Sequence, residues 1–167
     1  VNREQQTGSL QAAVGRQIGK VRKDGMAGKF VAKTSISINA PSSKVWDALT
    51  KPELIKQYMF DTNVTTDWKV GSPITYEGVW EGKAYKDKGK ILKVEPGKRL
   101  VSTFWSALSG EPALPENYKT VDYELSAEWN NTKLTLLQDN NATQEEADHS
   151  KQNWEMVLQG LKKLVEN

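Results

Sequence analysis

Between Phe30 and Ile38 the chain alternates. Phe30, Ala32, Thr34, Ile36 and Ile38 share one side and Val31, Lys33, Ser35 and Ser37 the other, the period of a half-buried strand. Asn39-Ala40-Pro41 stops the strand, and proline at a first helical position followed by Val45, Trp46 and Leu49 at helical spacing predicts a short helix. A second helix is expected to open at Thr50, where Thr50 and Glu53 have the spacing of a capping box, and to carry Leu54, Ile55 and Tyr58. From Thr65 onward the pattern is strand and turn. Turns are expected at Gly71-Ser72-Pro73, Glu81-Gly82, Glu95-Pro96-Gly97-Lys98 and Asn130-Asn131, with strands at Ile74-Thr75-Tyr76, Tyr85 to Val94, Leu100 to Trp105, around Val121-Tyr123-Leu125, and Lys133 to Gln138. The stretch from Ser106 to Lys119, with Gly110, Pro112 and Pro115, is long for a hairpin loop and is a candidate lid.

The pattern changes period once more at the end. Trp154, Val157, Leu158, Leu161, Leu164 and Val165 recur at three- and four-residue spacing, so residues 143 to 167 form a long helix with one apolar face. Thr143 and Glu146 make a capping box at its start, Glu145, Glu146 and Asp148 lie near the positive end of its dipole, and Lys162 and Lys163 near the negative end. Gly160 sits inside the stripe and either permits a close approach, leaves room for a ligand, or is a tolerated defect costing about 1 kcal/mol. Such a helix needs a surface to bury against. The hairpin strands supply one, so the expected class is α+β: one strand, two short helices, five or six antiparallel strands, and a terminal helix laid across one face of the sheet. Because antiparallel sheets twist and curl, a helix on the concave side need not fill it, and the remaining gap is a candidate pocket.

Composition narrows the function classes. The 167 residues contain no Cys, which removes disulfide and thiol chemistry and permits a reducing compartment; a cytoplasmic location is expected. No apolar run approaches the roughly 20 residues of a membrane-spanning helix. The formal charge of +2 is uneven: residues 1–29 carry six basic groups against two acidic ones, and the remainder is net negative. A nucleic-acid partner is therefore not expected. Residues 1–28 hold five glycines, and Leu10, Val14, Ile18 and Val21 would share only a weak helical face. We read 1–28 as a basic, Gly-rich extension, with Met26 as a plausible native start, and 29–167 as the folded domain.

His149 is the only histidine and sits in the polar first half of the terminal helix, so no Ser–His–Asp set is available beyond what this one imidazole could anchor; there is no Cys–His pair, and no ligand spacing indicates a metal. No catalytic residue, metal or cofactor is assigned. The aromatic residues are more informative. Tyr58, Phe60, Tyr76, Phe104, Tyr123 and Trp154 are expected to face the gap between sheet and terminal helix, with Leu158 and Leu161 on its helical wall. Each is individually more at home as core filling, but together they suit a planar or lipid-like ligand. An inward carboxylate would favour an enzyme acting through a buried acid or Tyr58; Glu77 and Asp122 are the nearest candidates, although both read as outward.

Several segments in order, Asn39-Ala40-Pro41 with Val45-Trp46, Lys51-Pro52-Glu53-Leu54, Val70-Gly71, Gly89-Lys90-Ile91 leading to Val94-Glu95-Pro96, Arg99-Leu100-Val101, Thr132 to Leu136, and Trp154 with Leu158, Leu161 and Leu164, resemble the START-like superfamily called SRPBCC. The nearest branch is similar to the C-terminal domain of the activator of the heat-shock-protein-90 ATPase. The resemblance implies a helix-grip fold, a curved sheet around a long C-terminal helix, usually with an apolar cavity. It implies little about activity, because members include lipid carriers, hormone receptors, cyclases, stress-response proteins and co-chaperones. One departure is Tyr58, where the family often has Trp. The expected function is non-catalytic binding of a small hydrophobic or aromatic ligand; the alternatives are a co-chaperone-like module with a chaperone or other protein as partner, and, behind it, a cyclase-type enzyme.

Overall fold

The computed structural model describes residues 30–167. The expected weak helix through Leu10, Val14, Ile18 and Val21 lies outside the described residues. The alternation from Phe30 gives β1 (Phe30–Ile38), and two helices follow, α1 (Ser42–Thr50) and α2 (Pro52–Tyr58). Then come β2 (Asn63–Thr65), β3 (Pro73–Trp80), β4 (Lys83–Glu95), β5 (Arg99–Phe104), β6 (Lys119–Glu128), β7 (Asn131–Asn141) and the terminal α3 (Gln144–Glu166). The strands form one antiparallel sheet in the order β1-β7-β6-β5-β4-β3-β2. The first and second strands thus lie at opposite edges, and α1 and α2 make the crossing between them. This is the α+β class expected from the pattern, in the helix-grip arrangement that the resemblance implies.

The concave face is divided between two covers. Packing against β1, with further contacts to β7, α1 and α2, α3 buries Trp154, Val157, Leu158, Leu161 and Val165. Each such apolar side chain contributes about 1.5–3 kcal/mol relative to exposure. Its first turn is tied down by Thr143, whose hydroxyl accepts from Glu146 N at 3.0 Å, while the Glu146 carboxylate accepts from Ala142 N, one residue before the usual capping-box partner. Its last turn is clamped to the end of β1 and the connection after it, where Lys162 donates to Ser37 O at 2.7 Å and Glu166 accepts from Asn39 N at 2.7 Å. The other half of the concavity lies under α2 and the connection that follows it.

Local chemistry departs from expectation at two places. Thr50 ends α1 instead of capping α2: its hydroxyl donates back to Trp46 O at 2.8 Å, and α2 starts from Lys51 with no side-chain cap. The β6–β7 turn is formed by Trp129 and Asn130, with Trp129 fully exposed at φ 59°, one residue earlier than the expected Asn130-Asn131.

β4 is 13 residues long and shifts register against β5 between Ile91 and Lys93. At Gly89 the two strands come close: a Cβ there would stand 1.7 Å from the Thr103 carbonyl oxygen. No side chain fits at that crossing, so the close approach of β4 and β5 requires glycine.

Candidate functional site

A small, partly open cavity lies between the short helices and the sheet. Its walls are Leu49 of α1, Ile55 and Tyr58 of α2, Met59 just after it, Val64 of β2, Trp68 of the β2–β3 connection, and Ile74, Tyr76, Leu100, Ser102 and Tyr123 of the sheet. The void is about 20 Å³, room for about one water. A larger groove of about 640 Å³ beside the β4–β5 turn is open to solvent and lined by Glu95–Arg99 and Glu124–Ala127.

Of the eight residues expected to face the gap, the structure brings Tyr58, Tyr76 and Tyr123 to the cavity wall. Phe60 is half-buried against the core at φ 52°, and Phe104, Trp154, Leu158 and Leu161 lie within the packed core, away from the void. The reason is the division of the concave face: α3 seals its own half. Trp154 turns its indole N–H to Gln138 Oε1 at 2.7 Å and meets the Tyr123 ring edge-on at a centroid distance of 6.2 Å. Gly160 faces Tyr58 of α2, not the sheet; a Cβ there would lie 3.4 Å from the Tyr58 Cβ, an ordinary contact, so the position is a tolerated glycine and not a required one.

The phenols give the cavity its polar points. Tyr58 donates to Ala48 O at 2.7 Å, and burial pushes its pKa well above the usual phenol range, as it does for Tyr123. Tyr76 is pushed up to about 12, chiefly by burial; a hydrogen bond with Ser102 pulls the other way and the Asp87 carboxyl adds to the rise. All three are neutral donors at physiological pH.

Asp87 was not singled out from the sequence. It stands directly opposite Tyr76 in the β3–β4 register and is wholly buried. Glu77 and Asp122 point to the outer face, Glu77 3.6 Å from Lys86 and Asp122 in a two-pronged pair with Arg99 at 3.0 and 2.7 Å. The inward carboxylate is therefore Asp87. Burial pushes its pKa up to about 7, opposed by the nearby Ser106 hydroxyl and Ala107 N–H, yet neither carboxylate oxygen has a hydrogen bond of good geometry. A signal for it existed: Lys86, Lys88 and Lys90 alternate on β4 and mark the wet face, which leaves Tyr85, Asp87 and Gly89 on the dry one.

The candidate lid, Ser106 to Lys119, is closed and anchored. It holds two 3-10 turns, Ala107–Ser109 and Pro115–Asn117, and Asn140 Nδ2 donates to Glu116 O at 2.9 Å and Tyr118 O at 2.7 Å. It covers Asp87 and packs Leu108 against Trp80 and Tyr85, so it shuts the β3–β4 end of the concavity. The cover of the cavity itself is the segment from Met59 through β2 to Trp68, in which Phe60, Asp61 and Trp68 all have positive φ (52°, 60° and 61°). Thr62, fully buried, pins it to Tyr85 through a 2.9 Å hydroxyl contact.

His149 is half-buried on α3, and among the described residues no three His, Asp or Glu side chains gather as a metal site would need. Among the described residues no helix is long and apolar enough to cross a membrane.

The family described as "Activator of Hsp90 ATPase homolog 1-like protein" matches residues 39–166. The chain belongs to this family. Among solved structures it is similar to ChR145 from Cytophaga hutchinsonii, at 48% identity over 85% of this chain and 97% of that one, with a TM-score of 0.76. The fold is also shared with the Aha1 dimer from Colwellia psychrerythraea (22% identity, 82% and 96% covered, TM-score 0.65) and with CalU16 from Micromonospora echinospora (21%, 83% and 85%, TM-score 0.61). No curated protein matches the chain. In this activator-homologue domain the cavity thus lies under α2, and the terminal helix closes the opposite half.

Proposed function

We propose that this activator-homologue domain binds a small hydrophobic or aromatic molecule in the cavity between α1–α2 and the sheet, without catalysing a reaction. The observation that carries this reading is the wall chemistry: a mostly apolar void with a few polar groups, the Tyr58, Tyr76 and Tyr123 phenols and Ser102. Phe60, Phe104, Trp154, Leu158 and Leu161 enter the proposal as the layer behind those walls. A void of about 20 Å³ admits no ligand of that size, so binding requires Met59 to Trp68 to move outward. Three non-glycine residues held at positive φ in that segment support such a movement, since each stores about 1–3 kcal/mol that an open form releases. A cytoplasmic setting, and residues 1–28 as a separate extension, belong to the same proposal.

Titration with a panel of aromatic and alkyl compounds tests it. A ligand bound at 100 times its dissociation constant raises stability by about 2.7 kcal/mol and shifts the fluorescence of Trp68 at the cavity wall. If no compound changes melting temperature or tryptophan emission, the reading is refuted.

A second reading is favoured by the smallness of the void and by the family's description. The domain would then act as a protein-interaction module through its outer sheet face, where Lys86, Lys88 and Lys90 are exposed and the Lys88 ammonium lies 5.4 Å from the Trp105 ring centroid. Capture of the heat-shock-protein-90 chaperone, lost on reversing the charge of Lys88 and Lys90, is its expected result; capture unaffected by those changes counts against it.

A further inference from the structure

Among the described residues, the concave face of β3, β4 and β5 carries a single ionisable carboxyl, that of Asp87. It is fully buried and accepts no well-formed hydrogen bond from the protein. The groups around it are Tyr76 from β3, the Ser106 hydroxyl and the Ala107 N–H. Its strand neighbours Lys86 and Lys88 are exposed on the opposite face, and among the described residues no cation pairs with it. A buried carboxylate without a counter-charge or full hydrogen bonding is costly, and an apolar side chain would fill the same place more cheaply. Its position indicates what it is for. Tyr76, directly across the ladder, and Ser102, bonded to Tyr76, both line the cavity, so Asp87 stands at the end of the same concave surface.

A carboxylate only accepts hydrogen bonds, and the group that supplies both donors and the missing charge is a protonated amine. The rest of the wall, Met59, Ile74, Leu100 and the Tyr58 and Tyr123 rings, suits an apolar or aromatic body. We propose that the ligand is an amphipathic amine, its apolar body among Tyr58, Leu100 and Tyr123 and its ammonium group on Asp87. This rests on the ligand-binding reading above and adds the head-group chemistry to it. A hydroxyl in the same place would satisfy part of the carboxylate and leave its charge unbalanced, which is why amine is favoured over alcohol.

The test uses pairs of probes with one carbon skeleton: phenethylamine, tryptamine and octylamine, each against the corresponding alcohol, measured by calorimetry at pH 7.5 with the wild-type chain and with Asp87→Asn. The expected result is that the amine binds at least about tenfold more tightly than its alcohol, and that Asp87→Asn removes this preference while alcohol binding persists. In the wild type, the Asp87 carboxyl resonance should also titrate at lower pH when the amine is bound, a readout that a purely structural role would not move. Alcohols binding as well as amines, or an amine preference that survives Asp87→Asn, overturns the head-group assignment and leaves the cavity reading standing. If no probe of either kind binds, both fall.

Discussion

Asp87 makes a quantitative prediction that needs no ligand. In the unfolded chain its carboxyl titrates near 3.8, and in the folded protein burial pushes it up to about 7. Between those values the native state holds a proton that the unfolded state has released, so stability falls as pH rises from about 4 to about 7 and is level above. At about 1.36 kcal/mol per unit of difference, ionised Asp87 costs the folded state on the order of 4 kcal/mol at pH 8. Asparagine has nearly the same shape and does not titrate. Asp87→Asn should therefore match the wild type within about 1 kcal/mol at pH 4 and exceed it by about 4 kcal/mol at pH 8, the gap opening by up to about 1.4 kcal/mol per pH unit. Urea denaturation of both proteins at half-unit pH steps measures the difference directly, and the other titrating groups cancel. A gap that stays constant with pH would refute the reasoning, because it would mean that the folded protein solvates this carboxylate as well as water does.

Other substitutions test the fold around the site. Gly89→Ala places a Cβ against the Thr103 carbonyl and should cost more than about 3 kcal/mol or abolish folding, seen as loss of the cooperative thermal transition. Lys119 is fully buried, donates to Asn140 O and Asn141 Oδ1 at 2.9 Å each, and lies 3.9 Å from Glu146. Lys119→Met strands those acceptors and should cost about 3–5 kcal/mol by urea denaturation, whereas a change under 1 kcal/mol would mean the network contributes little. Trp154→Phe leaves Gln138 Oε1 without its indole donor and opens a small void, for an expected loss of about 2–4 kcal/mol. Tyr58→Phe removes only the bond to Ala48 O and should lower stability by about 1 kcal/mol; a loss above 3 kcal/mol would indicate repacking of α2.

Elements governed by short-range pattern were legible from the chain. β1 runs over Phe30–Ile38, as the alternation indicates, and α3 over Gln144–Glu166 behind Thr143, whose hydroxyl caps it. The curved sheet followed from hairpin spacing. Where one residue had two competing partners, spacing misled: Thr50 has both a capping geometry and the carbonyl of Trp46 four residues back, and the latter wins once α1 continues to Thr50. Asp87 was legible in principle, because the alternating lysines of β4 fix which face each neighbour takes, but a lone carboxylate on a dry face contradicts the usual assignment of charge to solvent.

The sequence by itself determined the helices, the strands, their antiparallel class and the family, because each depends on residues close together in the chain or on their order. Only the tertiary structure decided which part of the concave face stays open. Trp154, Leu158 and Leu161 carry the same apolar pattern whether they wall a cavity or seal a core. The choice depends on α3 packing against α1 and α2 as well as β1, on Gly89 letting β4 cross β5, and on a buried network holding the start of α3 to β7. These are distances between residues up to about a hundred positions apart, and no local periodicity encodes them. They leave the void under α2 and set Asp87 across the ladder from Tyr76 of its wall.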